Sequence, residues 1–553
     1  MYHISWSRRW GALFEGAWFD MTSSAGLAQL TALDTMFLTQ EAPDTPMHIG
    51  LLMFYSPPAS RRGPVRFKDI LATFRERARS APVFHRRVGR VPFGIDYPFW
   101  LDTPDLDIEF HVRHIGLPKP GDWRQLCIQV ARLQARVLDR TRPLWEAYVI
   151  EGLNNVDFLP PRSFAILFKM HHAAVDGASA MEAIYNLHDE TPQSSRRRSV
   201  PVAPPYANPG KLELFGRAYL NRLRTPARWV KAAQDILPIP GRLRQGFREH
   251  RLQTMKSRHS TRFNGPISPH RVVEGRFFDL EEVRAIRRKV GDVTVNDVLV
   301  TVVAGALRKY LESRGEPPRF SPMAMIPVSY RSEDEREAGG NLVTAMSMAI
   351  HSEIADPLER LRQVHAESIS SKGYTEAVGA RTTLDLAQVI PPQLASLAML
   401  RTGTNLMFSS GVSAPVNTVI TNVAGRQEPL YLCGAELVGV AGLGPIMDSV
   451  GLFHAIMSFN GRITNAINAC REMLPHPGHY ADCIQESYEE LRDADLGLPR
   501  KRGSRRRKLS EPSFPPPPAS SSRSGSGSQQ PSPVRRSSPL SFSTTVSSPR
   551  LSA

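Results

Sequence analysis

Residues 163 to 177 read Ser-Phe-Ala-Ile-Leu-Phe-Lys-Met-His-His-Ala-Ala-Val-Asp-Gly, and this stretch is the most informative part of the chain. An apolar run typical of a β-strand ends in two adjacent histidines, and a helical pattern begins after Asp176 and Gly177. A strand, a short loop and a helix thus follow one another, and the loop carries the histidines. Histidine exchanges a proton near neutral pH, so the arrangement indicates a positioned general base.

The two histidines are expected to have different roles. Adjacent side chains on an extended segment point to opposite faces, so His171 and His172 cannot both face one substrate atom. Asp176 can hold the loop by a hydrogen bond or an ion pair, and Gly177 tolerates backbone angles that a side chain would forbid. The alternative is a structural histidine pair followed by an ordinary turn. A metal site is not expected, because no further His, Cys or carboxylate ligands accompany the pair locally.

The string His171 to Gly177 resembles the H-H-x-x-x-D-G signature of the coenzyme A-dependent acyltransferase superfamily, which includes chloramphenicol acetyltransferase and peptide-synthetase condensation domains. Further strings, within about residues 30 to 490, resemble the bacterial wax ester synthase/acyl-CoA:diacylglycerol acyltransferase family. These strings are Leu33-Asp34-Thr35-Met36-Phe37-Leu38, Pro46-Met47-His48-Ile49-Gly50, Leu138-Asp139-Arg140-Thr141-Arg142-Pro143-Leu144-Trp145-Glu146, Thr294-Val295-Asn296-Asp297-Val298, Gly305-Ala306-Leu307-Arg308, Ile326-Pro327-Val328-Ser329-Tyr330-Arg331 and Gly340-Asn341. The chain departs from the family at Thr421-Asn422-Val423-Ala424-Gly425 and Asn468-Ala469-Cys470-Arg471. The preferred acceptor therefore does not follow from any one relative.

The resemblance implies an α/β fold of two chloramphenicol-acetyltransferase-like subdomains with mixed sheets and an interdomain channel. It implies transfer of a fatty acyl group from acyl-CoA to a long-chain alcohol, giving a wax ester, or to diacylglycerol, giving triacylglycerol. His172 would be the general base in a direct transfer, while His171 and Asp176 orient the loop. Acyl-CoA is a co-substrate, and no cofactor is expected. Asn296 is a candidate oxyanion donor and Asp297 a candidate substrate contact, although capping of a helix is the favoured role for both.

Two other functions stay open. A condensation-type enzyme would take its acyl group from a carrier protein, and a non-catalytic relative would bind lipid droplets without forming an ester. A covalent acyl-enzyme is less favoured, because the folded region lacks a persuasive G-x-S-x-G elbow and no cysteine stands beside the histidines.

At 553 residues with 41% hydrophobic content, the chain is long enough for two core-bearing units with appendages. A segment rich in Pro and Arg separates them and carries Leu212, Phe215, Tyr219, Leu220 and Leu223 at helical spacing. The predicted divisions are an uncertain N-terminal extension (1–20), an N-terminal acyltransferase subdomain (21–190), a basic amphipathic connector (191–265), a C-terminal acyltransferase subdomain (266–495) and a disordered basic Ser/Pro-rich tail (496–553).

The formal charge of +16 is concentrated at the C-terminus. From Arg500 onward the chain carries eleven Lys and Arg against Glu511, so this segment holds ten of the excess charges. Nucleic-acid binding is therefore not expected, whereas a peripheral position on a membrane or lipid droplet is. The four cysteines are scattered and residues 1–20 lack a signal-peptide core, which favours a cytoplasmic protein at the inner face of the cell membrane or at lipid inclusions.

Overall fold

The computed structural model describes residues 27–57, 63–175, 177–193, 208–223, 259–329, 343–378 and 416–494, together with Gln234 and Gly241. The sequence-based predictions for residues 1–20, for Asp176, for the tail and for most of the connector lie outside the described residues. All the elements below belong to one compact unit, Met1–Leu498.

Helices and strands alternate along the first half of the chain. In chain order they are α1 (Ala32–Gln40), β1 (His48–Ser56), α2 (Phe67–Arg77), α3 (Pro82–His85), β2 (Arg86–Gly89), β3 (Phe99–Asp102), α4 (Ile108–His111), β4 (Val112–Gly116), α5 (Trp123–Gln134), β5 (Trp145–Glu151), β6 (Phe164–His171), α6 (Gly177–Tyr185) and α7 (Lys211–Leu223).

The second half also mixes the two types of element. In chain order they are β7 (Arg271–Asp279), α8 (Leu280–Val290), α9 (Val295–Ser313), β8 (Met323–Ser329), β9 (Val343–Ala349), α10 (Pro357–Val378), β10 (Thr418–Ala424), β11 (Tyr431–Leu432), β12 (Ala435–Leu443), β13 (Leu452–Phe459), β14 (Arg462–Cys470) and α11 (Pro477–Asp493).

The first sheet has the strand order β11-β12-β1-β6-β5-β4. β4 and β5 are parallel and the other neighbours are antiparallel, so the sheet is mixed. β6 is buried along its whole length because apolar side chains cover both of its faces. Ile166 and Phe168 face the cluster that contains α6, while Leu167 faces the cluster that contains α5. The apolar run before the histidines is therefore a central strand.

The second sheet has the strand order β7-β14-β13-β10-β8-β9, with β10 parallel to both of its neighbours. The long helix α9 packs on this sheet and is buried from Val298 to Leu307, as its apolar sequence predicts. Gly305 allows α11 to approach closely, since a Cβ there would lie 2.2 Å from Ser487 Oγ. The prediction of an α/β fold with mixed sheets is confirmed.

The two halves of the chain share the first sheet. β12 belongs to the second half by sequence, yet it pairs with β1 from Gly50↔Leu443 to Ser56↔Glu436. A cut near residue 265 would therefore not separate the two sheets completely.

Within the described residues, no single helix combines the length and the apolar character needed to cross a bilayer. α8 and α9 satisfy these criteria only as a pair that is bent by 100°. The four cysteines are free thiols, of which Cys127, Cys470 and Cys483 are buried and Cys433 is half-buried.

Candidate active site

Two separate strings of the sequence hold the backbone of the histidine pair. The His171 N–H donates to Leu144 O at 2.9 Å, and the His172 N–H donates to Met47 O at 2.9 Å. Met47 and Leu144 are themselves completely buried. The Pro-Met-His and Pro-Leu-Trp strings thus meet at the end of β6 and fix where the strand delivers its histidines.

His171 is completely buried, and each of its ring nitrogens lies close to a polar group. Nδ1 accepts a hydrogen bond from the Ala173 N–H at 3.0 Å, which assigns the proton of the neutral ring to Nε2. Nε2 lies 3.2 Å from Glu41 Oε2, and Glu41 Oε1 lies 2.8 Å from Arg140 Nη2. His171 therefore belongs to a buried chain of contacts and has no exposed face for a substrate.

The carboxylate of Glu41 is almost completely buried. Burial alone would raise its pKa, but the contact with His171, then the charge of Arg140 and the hydrogen bond from the Met47 N–H, outweigh burial and lower the pKa below its ordinary value. Glu41 is therefore ionised at neutral pH. Glu41 is not predictable from the sequence, because it lies between two family strings, in a loop where a charged side chain is usually solvated.

His172 has a different environment. It is half-buried, and its ring stacks on Phe37 with 4.1 Å between ring centroids and 12° between ring planes. Phe37 is held in turn by α1, whose first turn is closed by a reciprocal capping box between Thr31 and Asp34. An aromatic platform thus orients the imidazole while part of the residue stays accessible.

The loop after the histidines leads directly into α6, which begins at Gly177. Asp176 lies outside the described residues, so its predicted role in holding the loop stays a prediction, as does that of Gly177. The predicted helix is present, and its Ala180 and Ile184 are completely buried in the cluster that also contains Phe168.

Asn296 and Asp297 lie in the first turn of α9, where capping was the favoured role. The N-cap residue is Thr294: its Oγ1 accepts from Asp297 N, and Asp297 Oδ2 accepts from Thr294 N. Capping is thus confirmed for the Asp297 side chain but is wrong for Asn296, whose Oδ1 accepts from Asn422 Nδ2 at 3.2 Å. Asp297 Oδ2 also lies 2.8 Å from His365 Nδ1.

The face of β6 that carries His171 holds a second buried polar residue, Lys169. Its Nζ donates to Arg136 O at 2.6 Å and lies 3.8 Å from Glu146 Oε2. Burial lowers the pKa of Lys169 to about 8, partly opposed by the charge of Glu146. His48 is paired in register with His171; burial holds its pKa well below the ordinary value, and its Nε2 lies 2.9 Å from Gln134 O.

A cavity of about 510 Å³ opens beside the contact between Glu41 and Arg140. Thr35, Leu38 and Thr39 of α1 line one part of it, and Glu41 and Arg140 line another. In the part of the chain that the structure describes, no three His, Cys, Asp or Glu side chains come close enough together to hold a metal ion.

Comparison with known families covers most of the chain. The model of the wax ester synthase/diacylglycerol acyltransferase catalytic domain matches residues 30–299, and the model of the WS/DGAT C-terminal domain matches residues 339–492. A putative diacylglycerol O-acyltransferase of Mycobacterium bovis is 30% identical over 462 residues, which cover 83% of this chain and 98% of that protein. A probable diacylglycerol O-acyltransferase of Mycobacterium tuberculosis H37Rv has the same identity and coverage.

Among solved structures, the wax ester synthase/diacylglycerol acyltransferase from Marinobacter aquaeolei VT8 is 25% identical with a TM-score of 0.57 and covers 85% of this chain and 100% of its own. The first condensation domain of the calcium-dependent antibiotic synthetase, at 15% identity and a TM-score of 0.50, covers 86% of this chain and 98% of its own and shares the fold alone. The chain therefore belongs to the wax ester synthase/diacylglycerol acyltransferase family and is an acyl-CoA-dependent O-acyltransferase.

Proposed function

We propose that this enzyme transfers a fatty acyl group from acyl-CoA to a long-chain alcohol or to diacylglycerol, with His172 as the general base. The observation that carries the proposal is the contrast between the two histidines. His171 is completely buried and faces Glu41, whereas His172 is half-buried and is oriented by Phe37 and Met47. Of the pair, His172 is thus the one suited to meet a substrate hydroxyl.

The reaction needs only one proton carrier. His172 takes the proton of the acceptor hydroxyl while the oxygen attacks the thioester carbon, and the tetrahedral intermediate then expels the thiolate of coenzyme A. The imidazolium returns the proton to that thiolate, so the base is regenerated in each cycle. Proton transfer of this kind contributes about 10² to 10⁴ in rate, and positioning and oxyanion stabilisation supply the rest.

The surroundings of two of the four cysteines, Cys127 and Cys483, argue against a covalent acyl-enzyme at either thiol. Burial raises the pKa of the Cys127 thiol well above its ordinary value and that of Cys483 to about 11. A thiol in this state is a poor nucleophile near neutral pH. In addition, no cysteine is adjacent in sequence to the histidines.

Asn296 remains the proposed oxyanion donor. Because its Oδ1 already accepts a hydrogen bond from Asn422, its Nδ2 is the atom that would donate to the developing negative charge. The two acceptor classes are proposed from the family name and from the relatives, which are named as diacylglycerol acyltransferases. No cofactor is needed in this scheme, since acyl-CoA enters as a co-substrate.

The test is an ester-forming assay with purified protein, labelled palmitoyl-CoA and either hexadecanol or diacylglycerol. We expect labelled ester from the wild type and none from His172→Ala, with unchanged folding and acyl-CoA binding. Undiminished turnover in His172→Ala would reject the assignment of the base. Lipid binding without ester would favour the non-catalytic reading, and a requirement for a phosphopantetheinyl carrier would favour a condensation-type enzyme.

We also propose that the enzyme works at a lipid surface, at the inner face of the cell membrane or on lipid inclusions. α7 buries Leu214 and Ala218 but exposes Leu212, Tyr219 and Leu220, so the buried face differs from the stripe read from the sequence. Apolar side chains exposed on one helix, in a basic chain, are typical of interfacial binding. Co-flotation with anionic vesicles should weaken when all three are changed to Ser; undiminished flotation would reject this surface.

A further inference from the structure

We infer that Glu41 is a positioning residue for the reaction: its carboxylate holds His171 and Met47, and through them it places the imidazole of His172. This inference rests on the proposed role of His172 and deepens it. The geometry around this buried carboxylate, which the sequence alone does not distinguish, supports the inference.

Every polar contact of the Glu41 carboxylate comes from a hydrogen-bond donor. Oε1 accepts from Arg140 Nε at 2.8 Å and also lies 2.8 Å from Arg140 Nη2. Oε2 accepts from the Met47 N–H at 3.1 Å and lies 3.2 Å from His171 Nε2. An ionised carboxylate is an acceptor at both oxygens, whereas an amide offers an acceptor at only one end. In a Glu41→Gln variant, the NH2 group of the amide would therefore face another hydrogen-bond donor in either orientation of the amide.

His171 cannot relieve that conflict by changing its tautomer. Its Nδ1 already accepts from the Ala173 N–H at 3.0 Å. A proton on Nδ1 would face the amide proton of Ala173 and break this contact. The ring is therefore held in one orientation, in which Nε2 faces Glu41 Oε2 at 3.2 Å.

Two routes connect Glu41 to His172. In the first, Glu41 orients the His171 ring, whose Nδ1 holds the N–H of Ala173, the residue that directly follows His172. In the second, Glu41 accepts from the Met47 N–H while Met47 O accepts from the His172 N–H. Loss of the carboxylate loosens the backbone on both sides of the base.

The expected consequence is a loss in kcat with little change in KM for acyl-CoA, because Glu41 acts on the position of the base. A misplacement of about 1 Å can cost about 10²-fold in rate, so we expect Glu41→Gln to lower kcat on the order of tenfold to a hundredfold. Asp189→Asn is the matched control. Asp189 is a buried carboxylate paired with Arg77 at 2.5 Å, in a pair that includes neither histidine.

The experiment measures kcat, KM for palmitoyl-CoA and the melting temperature of the full-length wild type, Glu41→Gln, Asp189→Asn and His172→Ala. Support requires a kcat at least tenfold lower in Glu41→Gln, a KM within about twofold of the wild type, and an unchanged kcat in folded Asp189→Asn. A kcat within about twofold of the wild type in Glu41→Gln overturns the inference, and so does an equal loss of kcat in Asp189→Asn. If Glu41→Gln does not fold, Arg140→Gln decides by the same criteria.

The outcomes also separate this inference from the proposed function. If the wild type forms no ester, or if His172→Ala is fully active, the proposed function itself fails. If His172→Ala is inactive while Glu41→Gln is fully active, only the role of Glu41 is rejected.

Discussion

Replacement of Phe37 by Leu removes the aromatic platform beneath His172 while it keeps an apolar side chain in the same place. Phe37 is almost completely buried and stacks on the imidazole with 4.1 Å between ring centroids. Aromatic pairs of this kind contribute about 0.5 to 1.5 kcal/mol beyond the burial of their area. If that energy restrains the ring in its reactive orientation, its loss lowers kcat by about twofold to about tenfold, since about 1.36 kcal/mol corresponds to tenfold in rate.

The assay is single-substrate kinetics with palmitoyl-CoA at saturating hexadecanol or diacylglycerol, with activity expressed per folded molecule. Phe263→Leu is the matched control, because Phe263 is a buried aromatic in the core of the second sheet that stacks on Tyr310 with 6.4 Å between centroids. We expect both variants to lose stability and Phe37→Leu alone to lose kcat. Equal kcat values for the two variants, or a change confined to KM, would refute the idea that Phe37 orients the base.

Two further predictions concern stability. Because the pKa of Lys169 is lowered from 10.5 to about 8, the unfolded chain binds more protons than the folded chain between these values. The free energy of unfolding attributable to Lys169 should therefore rise between pH 8 and 10.5, and Lys169→Met should lack this rise in urea titrations; identical pH profiles would contradict the assignment. Gly305→Ala should destabilise by about 1 to 3 kcal/mol, because the new Cβ would lie 2.2 Å from Ser487 Oγ, whereas Gly216→Ala, on an open helix face, should stabilise by about 0.5 to 1 kcal/mol. Equal melting temperatures for these two variants would show that the space around Gly305 does not limit packing.

The sequence predicts a strand that buries both faces, or a helix that buries one regular apolar stripe. It predicts less well which other strands and helices these elements contact. The strand before the histidines and the helix after Gly177 are predicted from the sequence and are confirmed. The uninterrupted apolar sequence of α9 likewise accounts for its burial. The pairing of β12 with β1 could not be read in this way. It joins residues almost four hundred positions apart, and nothing in the apolar pattern of β12 distinguishes the first sheet from the second.

The same limit applies to α7. Its sequence pattern predicts a helix, and a helix is present, but Leu212, Tyr219 and Leu220 of the predicted apolar stripe are exposed. Leu214 and Ala218, four positions apart, form the buried face instead. Which of two apolar stripes packs on the protein depends on tertiary contacts, and periodicity alone cannot rank them.

In the site, residue types were predictable and their partnerships were not. The strand geometry correctly indicates that adjacent histidines occupy different environments, and the structure gives each a partner that is remote in sequence. Glu41 is 130 residues before His171, and Phe37 is 135 residues before His172. Such contacts become visible only when α1 is placed against the end of β6.

The adjacency of the two histidines has a physical reason. A base that must take a proton from a substrate has to stay partly exposed, so its own ring cannot also be anchored deep in the core. The preceding residue points the other way and can be buried, and His171 uses this freedom to contact Glu41 at one nitrogen and Ala173 at the other. An apolar residue at position 171 would leave the Glu41 carboxylate with Arg140 and Met47 alone and would free the Ala173 amide. The doublet thus places a buried anchor, His171, directly before the half-buried His172, the base proposed above.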